Sequence, residues 1–202
     1  MMIDKPKLKR RIFKIQALIA LFLILGISCQ KNESSQKAIV EKSGETSQLS
    51  MQDLASIIPI TREQLKNWIP KQIGEYKITK TVIGYKESVD MSAIKGTYSH
   101  QSDPSKQVVM EVLDGAGPVA AVLLSGSIQK LNLDFEELKA DGYSRIYNKN
   151  GHRVWEVENT REEISELEFI HEGRFLVSLK GQHLRNEELW TFADYLDFKA
   201  LK

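Results

Sequence analysis

The sequence of 202 residues predicts an α+β fold, with one domain that holds an antiparallel sheet of about six to seven strands covered by helices. Apolar and polar residues alternate in short runs, and tight turn pairs such as Asn150-Gly151 and Glu172-Gly173 separate them, which is typical of hairpins. Helical spacing of apolar residues occurs at both ends of the same region. Helices are therefore expected to flank the sheet.

Two short helices are predicted first. Apolar residues recur at helical spacing over residues 51–58, and Pro59 ends that pattern. Thr61 and Gln64 form a capping-box pattern that opens a second helix, which Pro70 stops.

Seven segments rich in β-branched and aromatic residues are predicted as strands, with Asp103 and Pro104 turning the chain between the second and third. The segments are residues 76–83, 93–99, 107–113, 143–147, 153–157, 167–170 and 175–179. A helix is predicted over residues 118–124, with Pro118 in its first turn. A last helix is predicted to follow Asn186 as its N-cap.

Residues 1–28 are predicted to be a lipoprotein-type signal peptide. Six basic residues precede residues 15–28, which carry no charge and, as a helix, would span about 21 Å of a hydrocarbon core about 30 Å thick. Gly26, Ile27 and Ser28 before Cys29 resemble a bacterial lipobox, although Leu is usual at the position of Gly26. Small residues at Gly26 and Ser28 also suit ordinary signal cleavage, so a released protein stays open as an alternative. A retained anchor is a further alternative.

Cys29 is the single cysteine of the chain and is predicted to carry lipid. A lone cysteine in an exported chain can form no internal disulfide, and lipidation would consume an oxidisable thiol. The polar residues after it resemble the short tag of Bacteroidota surface lipoproteins. The sequence thus predicts a signal peptide (1–28), a flexible polar tether (29–49) and an α+β domain (50–202). The expected location is the cell envelope, lipid-anchored, with the outer membrane or cell surface favoured over the inner membrane.

Net charge argues against nucleic acid as a partner. Residues 1–28 hold six of the 28 basic and one of the 27 acidic residues, so the remaining 174 residues carry 22 and 26. A mildly acidic protein lacks the basic face that phosphates demand.

The run GRFLVSLKG, followed by the helical segment LWTFADYLDF, resembles the end of small exported α+β proteins of the Mog1/PsbP type. The resemblance covers the order of elements over residues 50–202 and includes no diagnostic motif. It implies binding or assembly roles more often than catalysis, and it transfers no functional residues.

A glycine-rich stretch offers the sharpest catalytic hypothesis. Gly115, Gly117 and Ala120 match the G-x-G-x-x-A pattern of dinucleotide-binding turns, and Asp134 follows at the spacing of a ribose-binding acid. Pro118 removes an amide that would contact the pyrophosphate, and the surrounding hairpins argue against a parallel sheet. A structural turn is the favoured interpretation, and no cofactor is predicted.

The remaining chemistry-bearing residues suggest no site. With Trp155 and Leu167 facing inward, strand alternation puts His152 and His171 on opposite faces, and no metal-ligand spacing links the histidines. The acidic run 158–168 lacks a calcium-loop pattern and is interpreted as a solvated hairpin. The other residues considered and not assigned to a site are His100, His183, Ser125, Ser127, Trp68 and Trp190.

Two functions follow as hypotheses. The favoured one is a membrane-tethered exported lipoprotein that acts as a non-catalytic module, binding a small molecule or an envelope protein. The alternative is an exported hydrolase or glycan-active enzyme whose site is assembled only in the fold. No catalytic, cofactor or metal residue is assigned, and Cys29 is the one predicted modification site.

Overall fold

The structure is a computed structural model that describes residues 49–84 and 91–201. Within these residues the α+β character is confirmed, and nine strands form one sheet in which every neighbouring pair is antiparallel. The expected count of about six to seven strands was too low. The strands are β1 (Gln72–Ile73), β2 (Tyr76–Ile83), β3 (Ala93–His100), β4 (Gln107–Asp114), β5 (Glu136–Lys139), β6 (Gly142–Lys149), β7 (His152–Asn159), β8 (Ile164–His171) and β9 (Phe175–Gln182).

The sheet order is β1-β2-β3-β4-β9-β8-β7-β6-β5. Two runs of consecutive hairpins therefore meet at its centre, where β4 pairs with β9 and Met110 lies opposite Leu179. The Asn150-Gly151 and Glu172-Gly173 turns have the positive φ angles that tight hairpins require, at 52° and 83° and at 50° and 66°. The first turn precedes β7 and the second follows β8. Because β7 and β8 are antiparallel neighbours, both turns lie at the same end of the sheet.

The helices are α1 (Met51–Ser56), α2 (Arg62–Trp68), α3 (Pro118–Leu131) and α4 (Asn186–Asp194), and a 3₁₀ turn covers Phe198–Leu201. The capping box at α2 is confirmed, since Thr61 Oγ1 accepts a hydrogen bond from the Gln64 amide at 3.2 Å. The expectation that Asn186 caps α4 was wrong. Arg185 occupies the N-cap position, and its amide donates to the Glu188 carboxylate at 3.2 Å.

Helices pack against both faces of the sheet. We call the side under α2, α4 and the 3₁₀ turn the α2–α4 face. It holds the large core cluster, in which Tyr98, Met110 and Val177 are fully buried. We call the other side the α1–α3 face, where a small cluster joins Leu54 of α1 to Ala121 and Leu124 of α3.

Candidate binding site

A cavity of about 220 Å³ opens on the α2–α4 face, at the end of the sheet where β7 and β8 approach α4. Five of its ten lining residues carry aromatic or imidazole rings, and two carry a charge, Lys149 and Asp194. Its lining residues are His152, Phe169, His171, Trp190, Phe198, Ala193, Leu196, Lys149, Asn150 and Asp194. We refer to it as the ring-lined cavity.

The two histidines of the cavity lie on the same face of the sheet, which corrects the expectation that alternation separates them. Val154 pairs with Phe169 across β7 and β8, so Trp155 lies opposite Glu168 instead of sharing the face of Leu167. The expectation failed because it placed Trp155 and Leu167 on one side of the sheet. The imidazole rings are stacked, with centroids 5.9 Å apart.

The histidine pair belongs to a longer column of rings. His171 stacks on Phe198 with centroids 4.4 Å apart and an interplanar angle of 27°. Phe198 in turn stacks on Trp68 of α2 at 5.7 Å. This column joins β7 and β8 to α2 and the 3₁₀ turn, so the cavity wall is held by elements from both ends of the described chain.

Hydrogen bonding orients His152. Its Nδ1 atom lies 3.1 Å from the carbonyl oxygen of Ile170. Because a carbonyl oxygen only accepts, Nδ1 carries a proton in this contact. Among residues 49–84 and 91–201, no group of three or more potential metal ligands is present.

Trp190 connects the cavity to a buried carboxylate. Lys149 is also a lining residue of the cavity, and its Nζ lies 4.0 Å from the centroid of the indole ring, a cation–π contact. The indole Nε1 donates to Glu156 Oε2 at 2.8 Å. A group that displaces Lys149 or presses on the indole would therefore act on the Glu156 network behind it.

Glu156 is 2% exposed and accepts hydrogen bonds from four side chains. Besides Trp190, Tyr147 donates to Oε2 at 2.7 Å, Tyr143 donates to Oε1 at 2.9 Å, and Arg145 Nη2 donates to Oε1 at 2.7 Å. Burial by itself would raise the pKa of Glu156, but these donors outweigh it and hold the pKa below its ordinary value. The carboxylate is therefore ionised and has no role left as a proton donor at neutral pH.

A second buried acid extends this network toward α4. Glu158 accepts from Arg185 Nη2 at 3.1 Å and from the Asn186 amide at 3.3 Å. The Asn186 side chain donates to Tyr143 Oη at 3.2 Å and to the Val157 carbonyl at 3.1 Å. Those bonds point the side chain into the sheet, which explains why Asn186 does not cap α4. Glu158, counted with the acidic run that we expected to be a solvated hairpin, is instead buried.

In the glycine-rich turn between β4 and α3, the amides of residues 115–117 all donate within the protein. The Gly115 amide donates to the Arg174 carbonyl at 2.9 Å, and the Gly117 amide donates to the Leu54 carbonyl at 3.0 Å. The Ala116 amide donates to Asp114 Oδ1 at 3.0 Å. Asp114 also accepts from Arg174 Nε at 2.7 Å. Hydrogen bonds therefore connect this buried turn to Arg174, just before β9, and to α1.

The other candidates from the sequence lie apart from the cavity. Ser125 and Ser127 belong to α3 on the α1–α3 face. Trp155 lies on the same face, with its ring centroid 3.5 Å from Lys130 Nζ. His100 pairs with Glu75, and His183 pairs with Glu163. Cys29 lies outside the described residues. Within the described ranges, no helix is long and apolar enough to cross a membrane.

Comparison with known proteins adds no assignment. No protein-family model matches the chain, and neither a curated protein nor a solved structure matches it.

The Glu156 network was missed in the sequence although a signal for it exists. Tyr143, Arg145 and Tyr147 alternate along β6, and Glu156 interrupts the apolar alternation of β7. Hydrogen-bond donors at every second residue of one strand, next to an acid in a neighbouring buried strand, indicate a carboxylate whose hydrogen bonds are made within the sheet.

Proposed function

We propose that the protein is a lipid-tethered, exported binding module of the cell envelope, and that the ring-lined cavity is its ligand site. The single observation that carries the binding role is the composition of this cavity. Rings make up half of the lining residues, while Lys149 and Asp194 supply opposite charges. Such a combination suits a small ligand with one planar group and a polar end.

The volume sets the size of the ligand. A dry cavity of about 150 Å³ is large enough for benzene, so about 220 Å³ accepts one ring with a short substituent. A ligand of this size could equally be a side chain of an envelope protein. The favoured occupant is thus a small molecule or a single projecting residue.

The alternative, an exported hydrolase or glycan-active enzyme, has one observation in its favour, since His152 and His171 share the cavity wall. Against it, the lining residues include no serine, threonine or cysteine, and Asp194 is the only carboxylate among them. Glu156 and Glu158 lie behind the wall and already accept several hydrogen bonds. Binding therefore fits the geometry better than nucleophilic or acid–base chemistry.

The test uses two probes, benzoate and benzylammonium, which match Lys149 and Asp194 respectively. We expect one of them to bind at millimolar concentration and to shift the NMR signal of the Trp190 indole N–H. Ala193→Leu should fill the cavity and abolish that shift, whereas Ala200→Leu at an exposed position should preserve it. A protein in which neither probe perturbs the indole would contradict the assignment of this cavity as the site.

A further inference from the structure

Helix α3 carries an apolar stripe that faces away from the sheet. Val119, Val122 and Leu123 are 44%, 61% and 48% exposed and follow the i, i+3, i+4 spacing of one helix face. The opposite side of the same helix is buried through Ala120, Ala121 and Leu124. The first half of α3 is therefore apolar on both sides, a composition that water does not favour.

The stripe lies in an uncharged segment of the chain. No charged residue occurs from Gly115 to Gln129. Met51 of α1 and Ile58 just after it are 49% and 85% exposed, and α1 contacts the start of α3 through the Leu54 carbonyl and the Gly117 amide. The exposed apolar side chains of both helices thus belong to the α1–α3 face.

The position of this face along the chain indicates what covers it. Ser50 is the N-cap of α1, and residues 30–49 connect it to Cys29. A chain of that length with the flexibility that its composition predicts has a root-mean-square span of about 25 Å. Lipid on Cys29 would therefore hold α1 and α3 close to a membrane surface, where even a weak apolar contact becomes populated through a high effective concentration.

We propose that the α1–α3 face docks on the lipid bilayer, with the Val119, Val122 and Leu123 stripe entering the boundary between headgroups and acyl chains. This inference rests on the lipidation of Cys29 in the proposed function. An uncharged apolar stripe partitions into that boundary, while a tether on the same side of the domain removes most of the cost of bringing it there. The ring-lined cavity, on the other face, then points away from the membrane toward soluble ligands or partners.

The experiment places a fluorophore on the stripe. In the lipidated full chain Cys29 is blocked, so Val122→Cys supplies the only free thiol for an environment-sensitive NBD label. Asn67→Cys, exposed on α2 of the other face, is the matched control. Both labelled proteins are reconstituted in vesicles that contain lipids brominated in the acyl chains, which quench only a label in contact with them.

We expect quenching at position 122 to exceed quenching at position 67 by at least threefold. In the Val122→Cys background, Val119→Glu with Leu123→Glu should reduce it to the level of the control, because both positions are exposed and the fold survives the change. Flotation of the protein together with the vesicles reports separately whether the lipid anchor is present. Protein that floats with equal, weak quenching at both positions overturns the docking alone, whether water, a second copy or another part of the chain covers the stripe. Protein that lacks lipid and does not float overturns the docking and the proposed function together.

Discussion

The two faces of the sheet are built for different surroundings. On the α2–α4 face, the large apolar core continues into a hydrogen-bond network centred on the buried Glu156 carboxylate. On the α1–α3 face, the buried cluster is small, and the helix that covers it turns large apolar side chains outward. The difference indicates that the burial that stabilises the domain is concentrated on one face, and that the other face leaves large apolar side chains exposed.

The largest expected effect concerns the carboxylate of the α2–α4 face. Glu156→Ala would leave four donors facing a space without an acceptor, so we expect a loss of about 3 kcal/mol in the free energy of unfolding. Urea unfolding followed by circular dichroism measures it.

The matched control lies on the other face. Glu166 pairs with Lys180 at 2.6 Å, but the lysine side chain is largely exposed. Glu166→Ala should therefore cost less than about 1 kcal/mol. Equal losses in the two variants would contradict the proposed difference between the faces.

The next effect tests the close packing of the turn at Gly115 against Leu124 of α3 and against Arg174. A Cβ atom at Gly115 would lie 2.4 Å from Leu124 Cδ2 and 2.7 Å from the Arg174 carbonyl oxygen. We expect Gly115→Ala to destabilise the protein by about 2 kcal/mol. Gly126 lies inside α3, and a Cβ atom there would meet open space, so Gly126→Ala should be neutral or stabilising by up to about 1 kcal/mol.

The same turn also serves to test the dinucleotide hypothesis. Because the amides of residues 115–117 bond within the protein, NAD should leave the melting temperature unchanged. A rise of several degrees with NAD would restore a cofactor role for Gly115 and Gly117.

A smaller effect follows from the lowered pKa of Glu156. A carboxylate with a lower pKa in the folded state adds stability that is complete above its ordinary value of 4.5 and is lost as pH falls through the folded value. Wild type should consequently lose more stability than Glu156→Gln between about pH 5 and pH 3. Parallel losses in the two proteins, measured by urea midpoints across this range, would mean that other carboxylates control the acid transition.

The smallest effect is expected at the end of the chain that leads to α1. Removal of residues 1–49 should leave a soluble, cooperatively unfolding domain, because the buried residues of both clusters follow Ser50 and Leu49 is only partly buried against the smaller cluster. Ser50 itself should be kept, since its hydroxyl accepts from the Asp53 amide at the start of α1. Thermal unfolding that broadens or disappears in the shortened chain would show that earlier residues contribute to the fold.

The strands and helices with a buried face were predictable from local patterns. All seven expected strands are present, because each presents apolar residues to one side of the sheet. β1 and β5 were missed, since β1 has two residues and every residue of β5 is exposed. The helix predicted over residues 118–124 continues to Leu131, because Ser125, Gly126 and Ser127 weaken the helical signal without ending the helix.

The ring-lined cavity could not be predicted in the same way. It depends on the pairing of Val154 with Phe169, which places both histidines on one face, and on the docking of α4 and Phe198 from the end of the chain. Contacts of this kind are set by sheet register and packing between distant elements, which single-sequence periodicity does not encode.

Lipid on Cys29 is the central claim, because both the tethered location and the docking of the α1–α3 face depend on it. The most direct test is the intact mass of the protein purified from membranes, combined with labelled palmitate uptake by wild type and by Cys29→Ala. The account predicts a chain that begins at Cys29 and carries two or three acyl chains, which are enough for stable anchoring, and no label in Cys29→Ala. An unmodified Cys29 would contradict it, whether residues 1–28 are still attached or have been removed by ordinary cleavage.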